Sequence, residues 1–455
     1  VQLPPSLLAS LQSVKGFDEQ SFVKTHESGE QITSIRLNPL KSKDTLLPTA
    51  NDQLPTKVPW TTNGYYLKSR PSFTLDPFFH AGAYYVQEAS SMFLEQAMRQ
   101  TTDLSQPLLV LDLCAAPGGK STLLQSLISR HSLLVSNEVI QSRVNILKEN
   151  VIKWGSENMV VTHNDPKDFS KLTGLFDVLV VDAPCSGSGL FRRDADAVSE
   201  WSESNVQLCS QRQQRILADA WNCLKEDGVL IYSTCSYSKE EDEDILDWLM
   251  RTFEVGSLQL QVEEAWNIDE TQAATGAYGY RFWPGKVMGE GFFIAAFRKK
   301  EATAQVVVKT KKEAIPSKEE SRIAATWLQT TEGRSFLLQG QYIAVVPAAW
   351  YSTVQFLLQH LKVRYAGVEL GTIAKGDLLP EHALALSTLL HENIVAVELN
   401  EQQALDYLRK NDMQVASTHK GWALARFRHM NLGWMKLLGN RVNNYYPKEY
   451  RILKS

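Results

Sequence analysis

The sequence predicts an α/β fold. A mostly parallel sheet lies between helices, with a small α+β region before it and a second α+β region after it. Three observations carry this. Apolar runs too continuous for half-exposed strands recur at residues 108–113, 133–137, 159–163, 177–182 and 228–233. Helical patterns fill the gaps, among them Gln141 to Trp154 and Ser204 to Leu224. The first run ends in a turn of small residues that opens directly into a helical pattern, Cys114-Ala115-Ala116-Pro117-Gly118-Gly119-Lys120. Ligands of such sheets bind beyond the C-terminal strand ends, so those ends are where chemistry is expected.

At 455 residues the chain is long for one domain, and two or three are expected. No apolar run is long enough to span a bilayer and no charged-then-apolar leader opens the chain, so a cytoplasmic protein without a membrane partner is expected. The five cysteines, Cys114, Cys185, Cys209, Cys223 and Cys235, are odd in number, widely spaced and free of any Cys-x-x-Cys pair. That argues against a disulfide framework or a zinc site and fits a reducing compartment. The nine histidines form no metal-spaced pair, so no metal is expected. A net charge of −4 does not advertise nucleic acid; only the local distribution of charge can.

Residues 1–80 read as a small mixed region: a helical pattern from Leu7 to Val14, a strand from Ile32 to Leu37, and loop from Lys43 to Pro59. Arg36, Lys41, Lys43, Lys57, Lys68 and Arg70 are scattered through it, either as a solvated surface or as a patch facing RNA. From Tyr84 the pattern turns helical, Val86 to Met98, and the catalytic unit is expected over 81–300. The run Gly291 to Phe297 supplies its last strand. Residues 301–320, with several lysines around Pro316, read as a linker. A C-terminal region, 321–455, follows. It has strands at Tyr342 to Val346, Val363 to Glu369 and Trp422 to Phe427, and a helix at Glu401 to Lys410. From Lys420 onward Arg426, Arg428, Lys436, Arg441, Lys448, Arg451 and Lys454 face one acid, Glu449, with Trp422, Trp434, Tyr445, Tyr446 and Tyr450 interleaved. Cations for phosphates and rings for bases suit RNA; a basic tail over core aromatics is the plainer alternative.

The turn at 114–120 is a strand–loop–helix cradle for a nucleotide-like ligand. A phosphate-binding P-loop needs Gly-x-x-x-x-Gly-Lys-Ser/Thr; Gly119, Lys120 and Ser121 fit its end, but its first glycine falls on Cys114. The dinucleotide fingerprint Gly-x-Gly-x-x-Gly is also absent. The less glycine-rich loop of S-adenosylmethionine enzymes remains, which makes the predicted sheet Rossmann-like. Glu138 ends the second strand about twenty residues past the loop, where an acid can accept ribose hydroxyls. Two further strand ends carry thiols. One is Asp182-Ala-Pro-Cys185-Ser-Gly-Ser-Gly189, and the other is Tyr232-Ser-Thr-Cys235-Ser-Tyr237. A lone cysteine is usually a small buried hydrophobe. Two at adjacent strand ends, one beside an acid, point to chemistry; Cys209 and Cys223, in a helical pattern, do not.

In that order, Cys114 to Lys120, Asp182 to Gly189 and Ser233-Thr-Cys235-Ser-Tyr237 resemble the Nop/Sun (NSUN) family of RNA 5-methylcytosine methyltransferases. Tyr85-Val-Gln-Glu88-Ala-Ser-Ser91 and Gly291-Phe-Phe293 match its flanking elements, and the resemblance spans roughly residues 30 to 300. The C-terminal part, with Gly439-Asn-Arg441-Val-Asn-Asn-Tyr-Tyr-Pro447, is similar to the PUA-like RNA-binding end of the RsmF branch, which modifies small-subunit ribosomal RNA. No NusB-like helical domain is read at the N-terminus, which counts against the RsmB branch. The resemblance implies S-adenosylmethionine as cofactor. It puts Cys114 to Lys120 on the methionine and ribose side, Glu138 on the ribose hydroxyls, Asp165 near the adenine and Asp182 near the methyl. Arg143, one turn into the next helix, either orients Glu138 or is a surface residue. Asp165 precedes Pro166 and could equally be a turn residue.

Carbon 5 of cytosine is a poor nucleophile, and a thiolate added to carbon 6 makes it enamine-like. An acid at the ring nitrogen N3, such as Asp182, stabilises the adduct. The base must leave its stack for a thiol to reach it. The resemblance implies that Cys235 is the nucleophile and Cys185 assists release. DNA cytosine methyltransferases use the cysteine of the Pro-Cys element instead, so the residues alone leave this open. The expected partner is RNA, either small-subunit rRNA or the assembling 30S subunit, acted on by a monomer. Transfer RNA as substrate, a dinucleotide dehydrogenase on the same cradle and a non-catalytic RNA-binding scaffold are the rivals.

Overall fold

The computed structural model describes residues 2–41, 56–311, 314–439 and 441–453. The loop expected from Lys43 lies outside the described residues as far as 55, as do Lys312, Asn440 and Lys454. At the centre is a ten-stranded sheet. Its parallel core runs 159–162, 133–137, 109–112, 176–182, 224–234 in space. The chain therefore moves outward from Leu109–Asp112 on one side and then on the other. The switch falls between Leu109–Asp112 and Phe176–Asp182, which opens a crevice above their C-terminal ends. These strands are buried on both faces, because the helices Gly119–Leu127, Gln141–Trp154 and Glu203–Ala220 cover the sheet. Phe292–Lys299 adds antiparallel to Leu224–Thr234.

Two expected boundaries do not coincide with the hydrogen-bonded sheets. Val86 to Met98 is not one helix. Tyr84–Val86 is a strand paired with Thr33–Leu37 in a four-stranded N-terminal sheet, so that sheet reaches past residue 80. The Glu88 carboxylate then accepts from Ser90 N (2.8 Å) and Ser91 N (2.9 Å), which starts a 3-10 turn, and the helix proper is Leu94–Thr101. Val363 to Glu369 is not one strand either. Val363–Ala366 pairs antiparallel with Met159–Thr162 and closes an edge of the central sheet, so a segment beyond residue 300 belongs to it. Val368–Ala374 belongs to a separate four-stranded sheet. Gly367 makes the change of sheet: its φ of +69° is left-handed, and a Cβ there would lie 2.0 Å from Val345 O. The last four-stranded sheet contains Gly421–Phe427 and Met430–Leu437.

The basic residues of the N-terminal region are not one class. Arg36 is buried and donates to Thr122 Oγ1 (2.6 Å), Gly119 O (3.2 Å) and Gln87 Oε1 (2.8 Å), so it grips the cradle helix from the neighbouring sheet. Lys41 donates to Ala81 O (3.0 Å) and Lys153 O (2.6 Å). Burial pushes the Lys41 ammonium down to about 7. Both readings offered for these two side chains, solvated surface and RNA patch, give way to a packing role. At the C-terminus Trp434 and Tyr446 are core, while Tyr445 is exposed at the edge of Trp422 (4.5 Å between rings), and Lys436 lies over Trp422 at 5.2 Å. Among the described residues no helix is long and apolar enough to cross a membrane.

Candidate active site

The strand Leu109–Asp112 ends in the cradle, and the helix Gly119–Leu127 starts on it. Asp112, wholly buried, accepts from Ser121 Oγ (2.7 Å) and so ties the strand end to the helix start; burial pushes its carboxyl up to about 7. Burial, with Asp112 next, also pushes the Cys114 thiol up. At the next strand end Glu138 accepts from Ile140 N (2.9 Å) and pairs with Arg143 (3.3 Å). Arg143 also donates to Ala116 O (2.7 Å), so one guanidinium joins the acid to the cradle backbone.

Asp182 ends its strand opposite Ser233. It accepts from Ser233 Oγ (2.8 Å) and pairs with Lys120 Nζ (2.7 Å). Burial alone would lower the Lys120 ammonium, but Asp182, then Cys235 and Asp112, hold it above its ordinary value. The two strand-end cysteines meet: Cys185 Sγ and Cys235 Sγ are 3.0 Å apart, and both are free thiols. The hydrogen bond to Cys235, followed by burial, pushes the Cys185 thiol well up, so Cys185 stays neutral and can donate to the Cys235 sulfur. The loops are locked together by backbone. Gly189 N donates to Cys235 O (2.7 Å), and a Cβ on Gly189 would lie 2.3 Å from that oxygen.

One cavity of about 540 Å³ joins these groups. Cys114, Ala116, Glu138, Arg143, Asp182, Cys185 and Cys235 line it. Of the rest of the loop, Ala115, Pro117, Gly118, Gly119 and Lys120 do not line it, and Lys120 reaches it only through its ion pair with Asp182 (2.7 Å). Asp165 stands apart: it caps the 3-10 turn Pro166–Lys171 by accepting from Lys167 N (3.1 Å) and faces Arg215 at 3.6 Å, while Pro166 supplies the wall. The sequence reading did not single out Arg212 and Arg215, which border the cavity from the helix Glu203–Ala220. Their spacing of three residues on one helix face was the available signal.

Known proteins place this architecture. The chain matches the N-terminal domain of 16S rRNA methyltransferase RsmF over residues 3–89, 16S rRNA methyltransferase RsmB/F over 100–298 and the methyltransferase RsmF PUA domain over 395–452. A ribosomal RNA small subunit methyltransferase F from Psychromonas ingrahamii is 31% identical over 440 residues, covering 91% of this chain and 90% of that one. The chain belongs to the RsmF methyltransferase family. The protein of the same name from Shewanella loihica is 30% identical over 91% of this chain and 88% of its own length. A solved methyltransferase homolog from Pyrococcus horikoshii superposes with a TM-score of 0.52 at 28% identity, covering 65% of this chain and all of that one.

This RsmF-family chain is an S-adenosylmethionine-dependent methyltransferase. Its residues fit that cofactor. The cavity volume falls within the range of small-molecule sites. Leu113, Pro166, Ala183, Pro184 and Ile216 offer apolar wall. Val139 and Ile140, half exposed at its edge, offer a surface for an aromatic ring. Glu138 offers a carboxylate acceptor in the same cavity as Asp182 and the two thiols.

Proposed function

We propose that this RsmF-family chain forms 5-methylcytosine in small-subunit (16S) ribosomal RNA. The reading rests on one observation: two free thiols 3.0 Å apart share a cavity with Asp182 and the cofactor cradle. Cys235 adds through sulfur to carbon 6 of a cytosine turned out of its stack, which drives electrons onto carbon 5. When bound, S-adenosylmethionine would supply an electrophilic methyl for that carbon and leave as S-adenosylhomocysteine; a base must then take the carbon-5 proton so that the Cys235 sulfur can be expelled from carbon 6. Asp182 exchanges a proton with N3, with the Lys120 ammonium beside it as the adjacent donor. Cys185, a neutral thiol against Cys235, stands where the departing sulfur must be received and assists release. Glu138 accepts the ribose hydroxyls, Arg143 steadies Glu138, and Asp165 acts at the adenine end.

Residues 1–80, whose sheet borrows Tyr84–Val86, and 321–455, apart from the edge strand Val363–Ala366, serve to hold RNA around the unit at 81–300, with 301–320 as the linker. Trp422, Lys436 and Tyr445 form a ring-and-cation surface suited to bases and phosphates. The chain works in the cytoplasm as a monomer without a metal, on naked 16S rRNA or the assembling 30S subunit.

The test uses both cysteines. Cys235→Ser should abolish methylation and form no protein–RNA adduct. Cys185→Ser should transfer methyl but stay attached, leaving a complex that survives denaturing gel electrophoresis. An adduct with Cys235→Ser and none with Cys185→Ser would exchange the two roles. Bisulfite mapping of cellular RNA identifies the substrate, and loss of a tRNA site instead of an rRNA site would overturn the ribosomal assignment.

A further inference from the structure

Cys185 and Cys235 stand on loops from different strands. A single buried carboxylate holds both loops. Glu241, on the 3-10 turn Lys239–Glu241, accepts from Ser186 N (2.8 Å), Ser186 Oγ (2.5 Å) and Ser236 Oγ (2.6 Å). These serines are the residues that follow the two cysteines. Gln213 Nε2 is a further donor to Glu241 (3.2 Å) and also reaches Pro184 O (3.1 Å), one residue before Cys185. Tyr232 OH fixes the bracket from below through Gln213 Oε1 (3.0 Å) and Glu241 O (2.6 Å). Glu241 is fully buried, and among the described residues no salt bridge reaches it. A buried carboxylate without a cation depends on hydrogen bonds to remain there. All but the Gln213 donor belong to the cysteine loops, so neither loop can move without leaving Glu241 short of partners.

We propose that Glu241 is a positioning residue that sets the spacing of Cys185 and Cys235, and through it the balance between attack on the base and release of product. The release half rests on the role given to Cys185 above. Glutamine keeps the size of the side chain but replaces the oxygen facing the two serine hydroxyls by an NH2 donor, so those hydroxyls must reverse and the charge-assisted bonds that hold the loops are weakened.

Full-length Glu241→Gln, with a 16S rRNA transcript and S-adenosylmethionine, should show kcat down by about 10²-fold, as expected when a reacting group is misplaced by ~1 Å. The KM for S-adenosylmethionine should not change, because the cradle is not touched. The share of enzyme trapped on RNA should rise toward that of Cys185→Ser. A merely structural role would lower kcat through loss of folded protein, without trapped complex. Should Glu241→Gln not fold, Ser186→Ala and Ser236→Ala each remove one hydroxyl from the same bracket and should raise the trapped share. Wild-type kcat in the variants that fold overturns the proposal, whichever thiol attacks. Trapped complex with Cys185→Ser but with no bracket variant also overturns it. Absence of trapping with Cys185→Ser itself defeats the release assignment instead.

Discussion

Cys235 and Glu138 line the same cavity but are supported in different ways. Beneath the thiols the charges are sealed. Arg281, with 2% of its side chain exposed, pairs with Asp242 at 3.0 Å and grips Glu243 with two nitrogens. Asp242 accepts from Thr234 Oγ1 (2.7 Å), the residue before Cys235. Burial works against Glu243, but Arg281 holds its carboxyl below the ordinary value. At Glu138, proposed above for the cofactor, the acid is buried, yet its partner Arg143 is 45% exposed. An open pair in high dielectric is worth far less than a sealed one is worth protecting. The difference follows the demands on each group. Covalent attack needs fixed geometry, whereas a cofactor must enter and its product must leave on every turnover.

The largest effect should come from the sealed charges. Arg281→Met leaves two buried carboxylates without their cation and should cost about 3–5 kcal/mol of stability, read by urea denaturation. A loss below that of an ordinary surface substitution would show that water reaches this floor and would break the contrast. Next is the acid proposed for the cofactor. Glu138→Ala should weaken S-adenosylmethionine binding by about 1.5–3 kcal/mol, the scale of hydrogen bonds to a charged group, with little change in stability. Calorimetry showing unaltered affinity would remove Glu138 from the ribose. The smallest effect should belong to Arg143→Ala, about 0.2–1 kcal/mol in the same titration, because its ion pair is half open to solvent. A loss equal to that of Glu138→Ala would mean that Arg143 touches the cofactor itself and does more than orient the acid.

Much of this molecule was legible in its sequence. Buried parallel strands carry continuous apolar runs, so residues 108–113, 133–137, 159–163, 177–182 and 228–233 stood out, and each falls on a strand of the central sheet, with the small-residue loop at 114–120 following the first. Strand-end position alone brought Cys185 and Cys235 to the same edge. What stayed hidden depends on partners distant in the chain. Glu240-Glu241-Asp242-Glu243-Asp244 has the composition of a solvated acidic face, yet Glu241, Asp242 and Glu243 are buried. Arg281, 38 residues past Glu243, and the two serine loops meet them there. Likewise Val363 to Glu369 reads as one apolar strand, and only the free edge beside Met159–Thr162 and the turn at Gly367 split it between two sheets.

Local patterning therefore determined the parallel core strands, the small-residue loop that follows the first of them and which residue types could react. The tertiary structure decided the distance between the thiols, the ion pairs beneath them and the edge strand of the sheet. Periodicity and turn chemistry act over a few residues, whereas desolvating a charge becomes tolerable only when a partner arrives from elsewhere in the chain.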